Sequence, residues 1–222
     1  ACALAASGLR VGLLDADIYG PNVPTMLGVA DRTPEVRGSG GDQVLTPIET
    51  CGIAMVSMGL LVQENQPVIW RGPMLNGIIL VVDLPPGTGD AQLTLAQAVP
   101  MAGVVIVTTP QQVSLQDARR GLAMFLQMGV PVLGVVENMT AFLPPDLPGR
   151  RYALFGSGGG QRLAEEAGVP LLAQLPMEMA VLEGGDGGLP VVLAAPQSIS
   201  ARDFRALAER LDTLCGLRPV AV

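Results

Sequence analysis

Short apolar runs alternate with amphipathic ones along this chain. Arg10–Leu14 runs into Asp15-Ala16-Asp17 and predicts a strand that ends in two carboxylates. Ile53–Met58, Ile78–Val82, Val104–Thr108, Val132–Val136 and Leu171–Leu175 are further strand candidates. Most are continuously apolar, the pattern of strands covered on both faces in a parallel sheet. Between them the period changes. Leu115, Ala118, Leu122 and Phe125 recur at helical spacing behind Ser114-Leu-Gln-Asp117, which resembles a capping box. Ser200-Ala-Arg-Asp203 repeats that arrangement ahead of Phe204, Leu207, Leu211 and Leu214. Strand and helix in alternation predict a doubly wound, mostly parallel α/β sheet in a single domain, 1–222.

Two segments interrupt the rhythm. Ala30–Gly52 is polar and bears Gly and Pro, which predicts a hairpin or surface excursion; Leu143–Arg151 is a Pro-rich loop between strand and helix. Ala1–Gly8 reads as the last turns of a helix ending at Gly8, so the chain is expected to continue before Ala1. Met74-Leu-Asn-Gly77 leads straight into a strand where a parallel sheet requires a crossover, so residues are expected to be missing there too.

Composition narrows the chemistry. The 222 residues are 49% hydrophobic, enough for a buried core and too apolar for intrinsic disorder. The net charge is −7 and the 13 basic residues are all Arg, without a basic run, which argues against nucleic acid as a partner. With neither lysine nor histidine in the sequence, lysine Schiff bases, Ser-His-Asp triads and histidine-ligated metals are excluded for this stretch. Three widely spaced cysteines, Cys2, Cys51 and Cys215, fit a cytoplasmic chain with reduced thiols. No apolar run is long enough to span a membrane, and the C-terminus is too short and weakly basic for an amphipathic anchor.

In doubly wound sheets function gathers at the carboxyl ends of the strands. Asp15 and Asp17 can both reach one pocket there, to hold Mg²⁺ through water and orient a nucleophile, or they are a solvated strand-to-loop cap. Asp83 follows four apolar residues, the Walker B arrangement in which the carboxylate holds Mg²⁺ beside a triphosphate. The Pro-Pro-Gly-Thr-Gly behind it suits a loop that senses a γ-phosphate through backbone N–H groups. Asn138 can donate to and accept from the edge of adenine, or it caps a turn. Pro176 can lie against a base, or it ends a strand. Gly156-Ser-Gly-Gly-Gly160 lacks the P-loop spacing and its lysine, so it is read as a loop capping a helix. Met124 and Met128 fall on a helix face and are read as core.

Val11-Gly-Leu-Leu-Asp-Ala-Asp-Ile-Tyr-Gly-Pro21, Trp70-Arg-Gly-Pro73 and Val82-Asp-Leu-Pro-Pro-Gly-Thr-Gly-Asp-Ala-Gln-Leu-Thr94 closely resemble the Mrp or ApbC-like family. Val136-Glu-Asn-Met139, Phe155-Gly-Ser-Gly-Gly-Gly160 and Glu183-Gly-Gly-Asp186 extend the match nearly end to end. These are iron–sulfur cluster carrier ATPases of the MinD/ParA branch of P-loop NTPases. The resemblance implies ATP and Mg²⁺ as cofactors, a homodimer sandwiching nucleotide, and apo iron–sulfur proteins as clients. It implies Asp15 as the Mg²⁺-side carboxylate of the first switch, Asp17 as the residue orienting attacking water, and Asp83 as the Walker B carboxylate. Gly87 falls in the second switch, and Asn138 and Pro176 match the adenine contacts. The family's P-loop is expected just before Ala1, and the chain without it is not expected to hydrolyse ATP. Where the family places cluster-binding cysteines, this chain has Pro144 and Leu147, which cannot bind iron. A nucleotide-switched dimeric scaffold without a cluster is the alternative function.

Overall fold

The computed structural model describes residues 1–17, 20–37, 44–62, 78–85, 87 and 89–216. The chain opens on α1 (Cys2–Ala6), β1 (Val11–Asp15) and α2 (Val23–Met26). The hairpin strands β2 (Glu35–Arg37) and β3 (Val44–Thr46) follow, then β4 (Ile48–Thr50), β5 (Ile53–Ser57) and α3 (Met58–Val62). β6 (Ile79–Asp83), α4 (Asp90–Ala98), β7 (Val104–Thr108), α5 (Gln112–Gln127) and β8 (Val132–Phe142) come next. The chain then forms α6 (Gly159–Ala167), β9 (Leu171–Met177), α7 (Met179–Asp186), α8 (Val191–Ala194) and α9 (Ile199–Cys215).

The apolar runs become parallel strands, but among the described residues they divide into two sheets. One has the order β4-β5-β1-β6 and the other β7-β8-β9. β1 lies parallel to β5 and β6, and β8 lies parallel to β7 and β9; within these two sheets, among the described residues, the β4–β5 edge pair is the antiparallel one. The polar excursion is the separate β2–β3 hairpin, as its composition predicts. One core packs Val11, Ile53 and Met55 against α1, α2, α8 and α9; a second packs Val104, Ile106 and Val135 against α5 and α6. Phe204 of α9 reaches both the first core and the β8–β9 face, so one amphipathic helix serves both sheets.

Cover on both faces fails at two strands. Leu80 of β6 is 42% exposed and Val107 of β7 is 61% exposed. The expected irregularity at 74–77 lies outside the described residues. The two predicted capping boxes are also displaced. α5 begins at Gln112 with no side-chain cap, and Ser114, inside its first turn, accepts a hydrogen bond from Thr109 Oγ1. α9 is capped by Ser198, whose Oγ accepts from the Ala201 N–H; the carboxylate of Glu178, from the end of β9, takes the N–H groups of Ile199 and Ser200. Met124 does pack against the second core.

Candidate nucleotide site

Three strands end side by side. In the register of β5, β1 and β6, Asp15 lies opposite Ser57 on one side and Asp83 on the other. Parallel pairing thus brings a hydroxyl and two carboxylates to one row at the carboxyl end of the sheet. Asp15 is 1% exposed and Ser57 is fully buried. Ser57 Oγ donates to Asp15 Oδ2 at 2.8 Å, while the Asp17 N–H donates to Asp15 Oδ1 at 3.2 Å. Both oxygens of the buried carboxylate are therefore engaged, which offsets its desolvation and fixes its orientation. The Gly59 N–H donates in turn to Ser57 Oγ.

Asp17 starts the loop beyond β1 and accepts from the Gly20 N–H at 3.2 Å. Asp83 stands at the solvent rim. Partial burial first, then repulsion from Asp15 and Asp17, raises its carboxyl above the usual aspartate value. The structure therefore brings Asp15, Asp17 and Asp83 into one electrostatic neighbourhood. Among the described residues no group of three or more His, Cys, Asp or Glu is arranged to hold a metal ion directly. A rim of like charge with oxygen donors suits Mg²⁺, which keeps several waters and borrows the rest of its shell from phosphate oxygens.

The loop behind Asp83 is held from an unexpected quarter. Gln92, in the first turn of α4 and 3% exposed, donates through Nε2 to the carbonyls of Pro85 and Gly87. Gly87 has φ +96°, a conformation that side-chain-bearing residues rarely adopt.

The second polar strand end is that of β8 and β9. Asn138 is half-buried, and its Oδ1 accepts from the N–H of Met139, whose φ of +56° turns the chain sharply out of the ladder. β8–β9 pairing shifts register in a bulge between Asn138 and Phe142 and resumes at Phe142–Met177. Pro176 is buried in β9, opposite the bulge, and its carbonyl faces Ser200 Oγ.

The glycine run ahead of α6 is a packing device. A Cβ on Gly159 would lie 2.3 Å from the Pro110 carbonyl oxygen, and one on Gly160 would lie 2.7 Å from Glu137 Cβ. The carboxylate of Glu137, 1% exposed, takes the Gly160 N–H, so an anion of the chain's own already occupies that helix end. Ser57, Gln92 and Glu137 are the polar groups that sequence reading did not single out; the signal available was a polar residue just inside a strand end or a first helical turn.

Pro144 and Leu147 form a turn in the exposed loop beyond β8, where the Leu147 N–H donates to the Pro144 carbonyl. All three cysteines are free thiols. Burial pushes Cys2 up, and burial with Asp212 pushes Cys215 up, which disfavours the thiolate that binds iron.

A family described as ParA: NUBPL iron-transfer P-loop NTPase matches residues 1–212. The chain is 59% identical to the iron-sulfur cluster carrier protein of Synechocystis over 95% of its own length and 64% of that protein's. It is 43% identical to the mitochondrial iron-sulfur protein required for NADH dehydrogenase of Arabidopsis thaliana, over 91% of this chain and 68% of that protein. Among solved structures, the nucleotide-binding protein of Archaeoglobus fulgidus in complex with ADP matches at 33% identity and TM-score 0.68, covering 85% of this chain and 77% of that one. The septum site-determining protein MinD of Pyrococcus horikoshii, complexed with Mg-ADP, matches in fold at 20% identity and TM-score 0.68, covering 100% and 90%.

Proposed function

Because this chain belongs to the ParA family of NUBPL-type iron-transfer P-loop NTPases, we propose that it is the nucleotide-switching part of an iron–sulfur cluster carrier. The observation that carries this reading is the row of Asp15, Ser57 and Asp83 with Asp17 just beyond it. Asp83 would hold Mg²⁺ through water, and the ion would supply positive charge to the terminal phosphate oxygens. Asp15, locked by Ser57, sets the position of the Asp17 backbone. Asp17 orients the water that attacks the γ-phosphate. Gly87 presents backbone to that phosphate, and Asn138 with Pro176 frames the adenine at the other strand end.

Triphosphate also needs a cradle of N–H groups and positive charge, and these 222 residues contain no lysine. β6 pairs only with β1 and β7 only with β8 among the described residues, and each carries an exposed apolar residue. A strand bearing such a cradle, from polypeptide outside these residues, would complete the sheet and the site. The nucleotide-bound form is proposed to be a homodimer, and its cargo a cluster delivered to apo iron–sulfur proteins.

One observation favours a second reading, a nucleotide-switched scaffold without a cluster. The Pro144–Leu147 turn offers no thiolate, and Cys2 and Cys51 meet in the first core without a third Cys, Asp or Glu among the described residues to complete a metal site. Anaerobic reconstitution with iron and sulfide separates the two. Stoichiometric iron with a charge-transfer spectrum supports the carrier, and a colourless protein that still hydrolyses ATP supports the scaffold.

The test of the nucleotide reading is Asp17→Asn in the intact natural protein. Positioning and charge carry phosphoryl transfer, so turnover should fall on the order of 10²-fold or more. Nucleotide affinity should hold, and the ATP-bound dimer should accumulate on sizing. Wild-type turnover in this variant would remove the water-positioning role and leave Asp17 a loop cap.

A further inference from the structure

We infer that Glu137 is the positioning residue of the base-binding end, the clasp that sets Asn138 against Pro176. The inference rests on the nucleotide reading above and deepens it. Glu137 is buried to 1% exposure at the last ladder position before Asn138. Its Oε2 accepts from the Gly160 N–H at the start of α6, and its Oε1 accepts from Gln174 Nε2 of β9 at 3.0 Å. One carboxylate therefore ties β8, β9 and α6 together.

The place of this tie matters. Glu137 pairs with Gln174 and Asn138 with Leu175, and the register then breaks, so that Phe142 is the next residue paired, with Met177. Met139 at φ +56° begins the departure. Between Asn138 and Phe142 the ladder bulges, crossed by the Thr140 hydroxyl bond to the Leu175 carbonyl, and it closes again where the Leu143 N–H donates to the Met177 carbonyl. The residue expected to read adenine thus sits on the last rung before the bulge, one position past the clasp. Pro176 lies two residues beyond Gln174 on the facing strand.

The chain between Glu137 and Gly160 is a long excursion whose two ends meet at this carboxylate. Phe142 and Tyr152 exchange backbone hydrogen bonds within it, so it is ordered on its own account. The excursion does not need Glu137 for its inner fold, and its far side is tied to β9 at Phe142 and Leu143; Glu137 holds the near side, where Asn138 stands. Closing the clasp fixes how Asn138 is presented, and opening it loosens that near side alone. The side chain touches no expected ligand position, so its action is through Asn138 and Pro176.

The experiment compares Glu137→Gln and Gln174→Met with the intact wild-type protein in binding ATP, GTP and inorganic tripolyphosphate. The Gln side chain keeps the shape but loses the charge-assisted acceptor. ATP affinity should fall about tenfold, the size of a lost hydrogen bond to a charged group, and preference over GTP should fall with it. Tripolyphosphate affinity should hold when measured below the variant's lowered melting temperature. Gln174→Met, which leaves the Gly160 bond intact, should show the same base-selective loss in smaller degree.

Equal weakening of ATP and tripolyphosphate would show a general structural role and overturn the inference, as would ATP and GTP affinities unchanged in both variants. Either result leaves the nucleotide reading standing. A wild-type protein that binds tripolyphosphate no worse than ATP overturns the inference through the base site itself. One that binds neither overturns the nucleotide reading and the inference together.

Discussion

Two carboxylates are buried to 1% exposure at the carboxyl ends of parallel strands, and they face opposite surroundings. Glu137 meets the Gly160 N–H and the Gln174 amide, so its charge is answered by donors of the chain. Asp15 meets the Ser57 hydroxyl and the Asp17 N–H on its oxygens, but Asp83 and Asp17 stand beside it. The first end is electrostatically closed and the second is left in surplus. A closed end holds structure in place; an end with surplus negative charge awaits a cation. The same strand-end position thus carries a carboxylate answered by donors in one sheet and a carboxylate among like charges in the other, and the difference lies in which neighbours the register delivers.

The largest expected effect breaks the closed end. Glu137→Leu leaves the buried Gly160 N–H without its acceptor, while the exposed Gln174 amide can turn to water, a loss of about 2–3 kcal/mol. Urea unfolding of the variant should show it as a lowered midpoint with an unchanged slope. A loss under about 0.5 kcal/mol would mean that water reaches the Gly160 N–H and that the end is open after all. Ser57→Ala at the other end should cost about 1.5–2 kcal/mol, since the buried Asp15 keeps only the Asp17 N–H and the Gly59 N–H loses its acceptor. The two unfolding curves together measure the contrast.

Gly87→Ala tests the loop between these ends. No atom of the described residues lies within 4 Å of an added Cβ, so the cost comes from φ +96° and should be about 1–2 kcal/mol locally. The global melting temperature should move little, while hydrogen exchange through residues 84–89 accelerates. Unchanged exchange would place the loop's shape with Gln92 rather than with the glycine.

Much of this was legible in the sequence, and the reason is locality. Asp15 and Asp83 announce themselves because a carboxylate after an apolar run needs no partner to be noticed. β7 falls on Val104–Thr108 as read, since an unbroken run of β-branched residues marks a strand even where, as at Val107, one position stays exposed. Ser57 was not legible, because its meaning depends on Asp15, 42 positions away. Glu137 was visible in its motif, but Gly160 and Gln174 lie 23 and 37 positions off. The displaced cap at α9 has the same origin: Glu178 satisfies N–H groups that a local capping box would otherwise take. Nonlocal carboxylates did the work that the sequence pattern assigned to local ones.

The smallest effect, and the one of opposite sign, is at Asp83. Burial and the neighbouring Asp15 and Asp17 hold its carboxyl above the ordinary value, so the folded chain takes up a proton more readily than the unfolded chain. Asp83 is therefore least costly to the fold at pH below the ordinary aspartate range. The cost appears as pH rises through the raised folded-state value and stays constant above it. Asp83→Asn removes that cost, so without divalent cation the variant should be slightly more stable than wild type at neutral pH. The difference should shrink as pH falls through the carboxylate range, and added salt should reduce it, since the group stands at the rim. Thermal unfolding of both proteins in chelator, across pH and at two ionic strengths, reads it directly. Magnesium with nucleotide should reverse the order by stabilising the wild type alone. If Asp83→Asn is the less stable protein in chelator at neutral pH, the carboxylate is answered by a donor, and the contrast between a closed end and a surplus one fails at its open side.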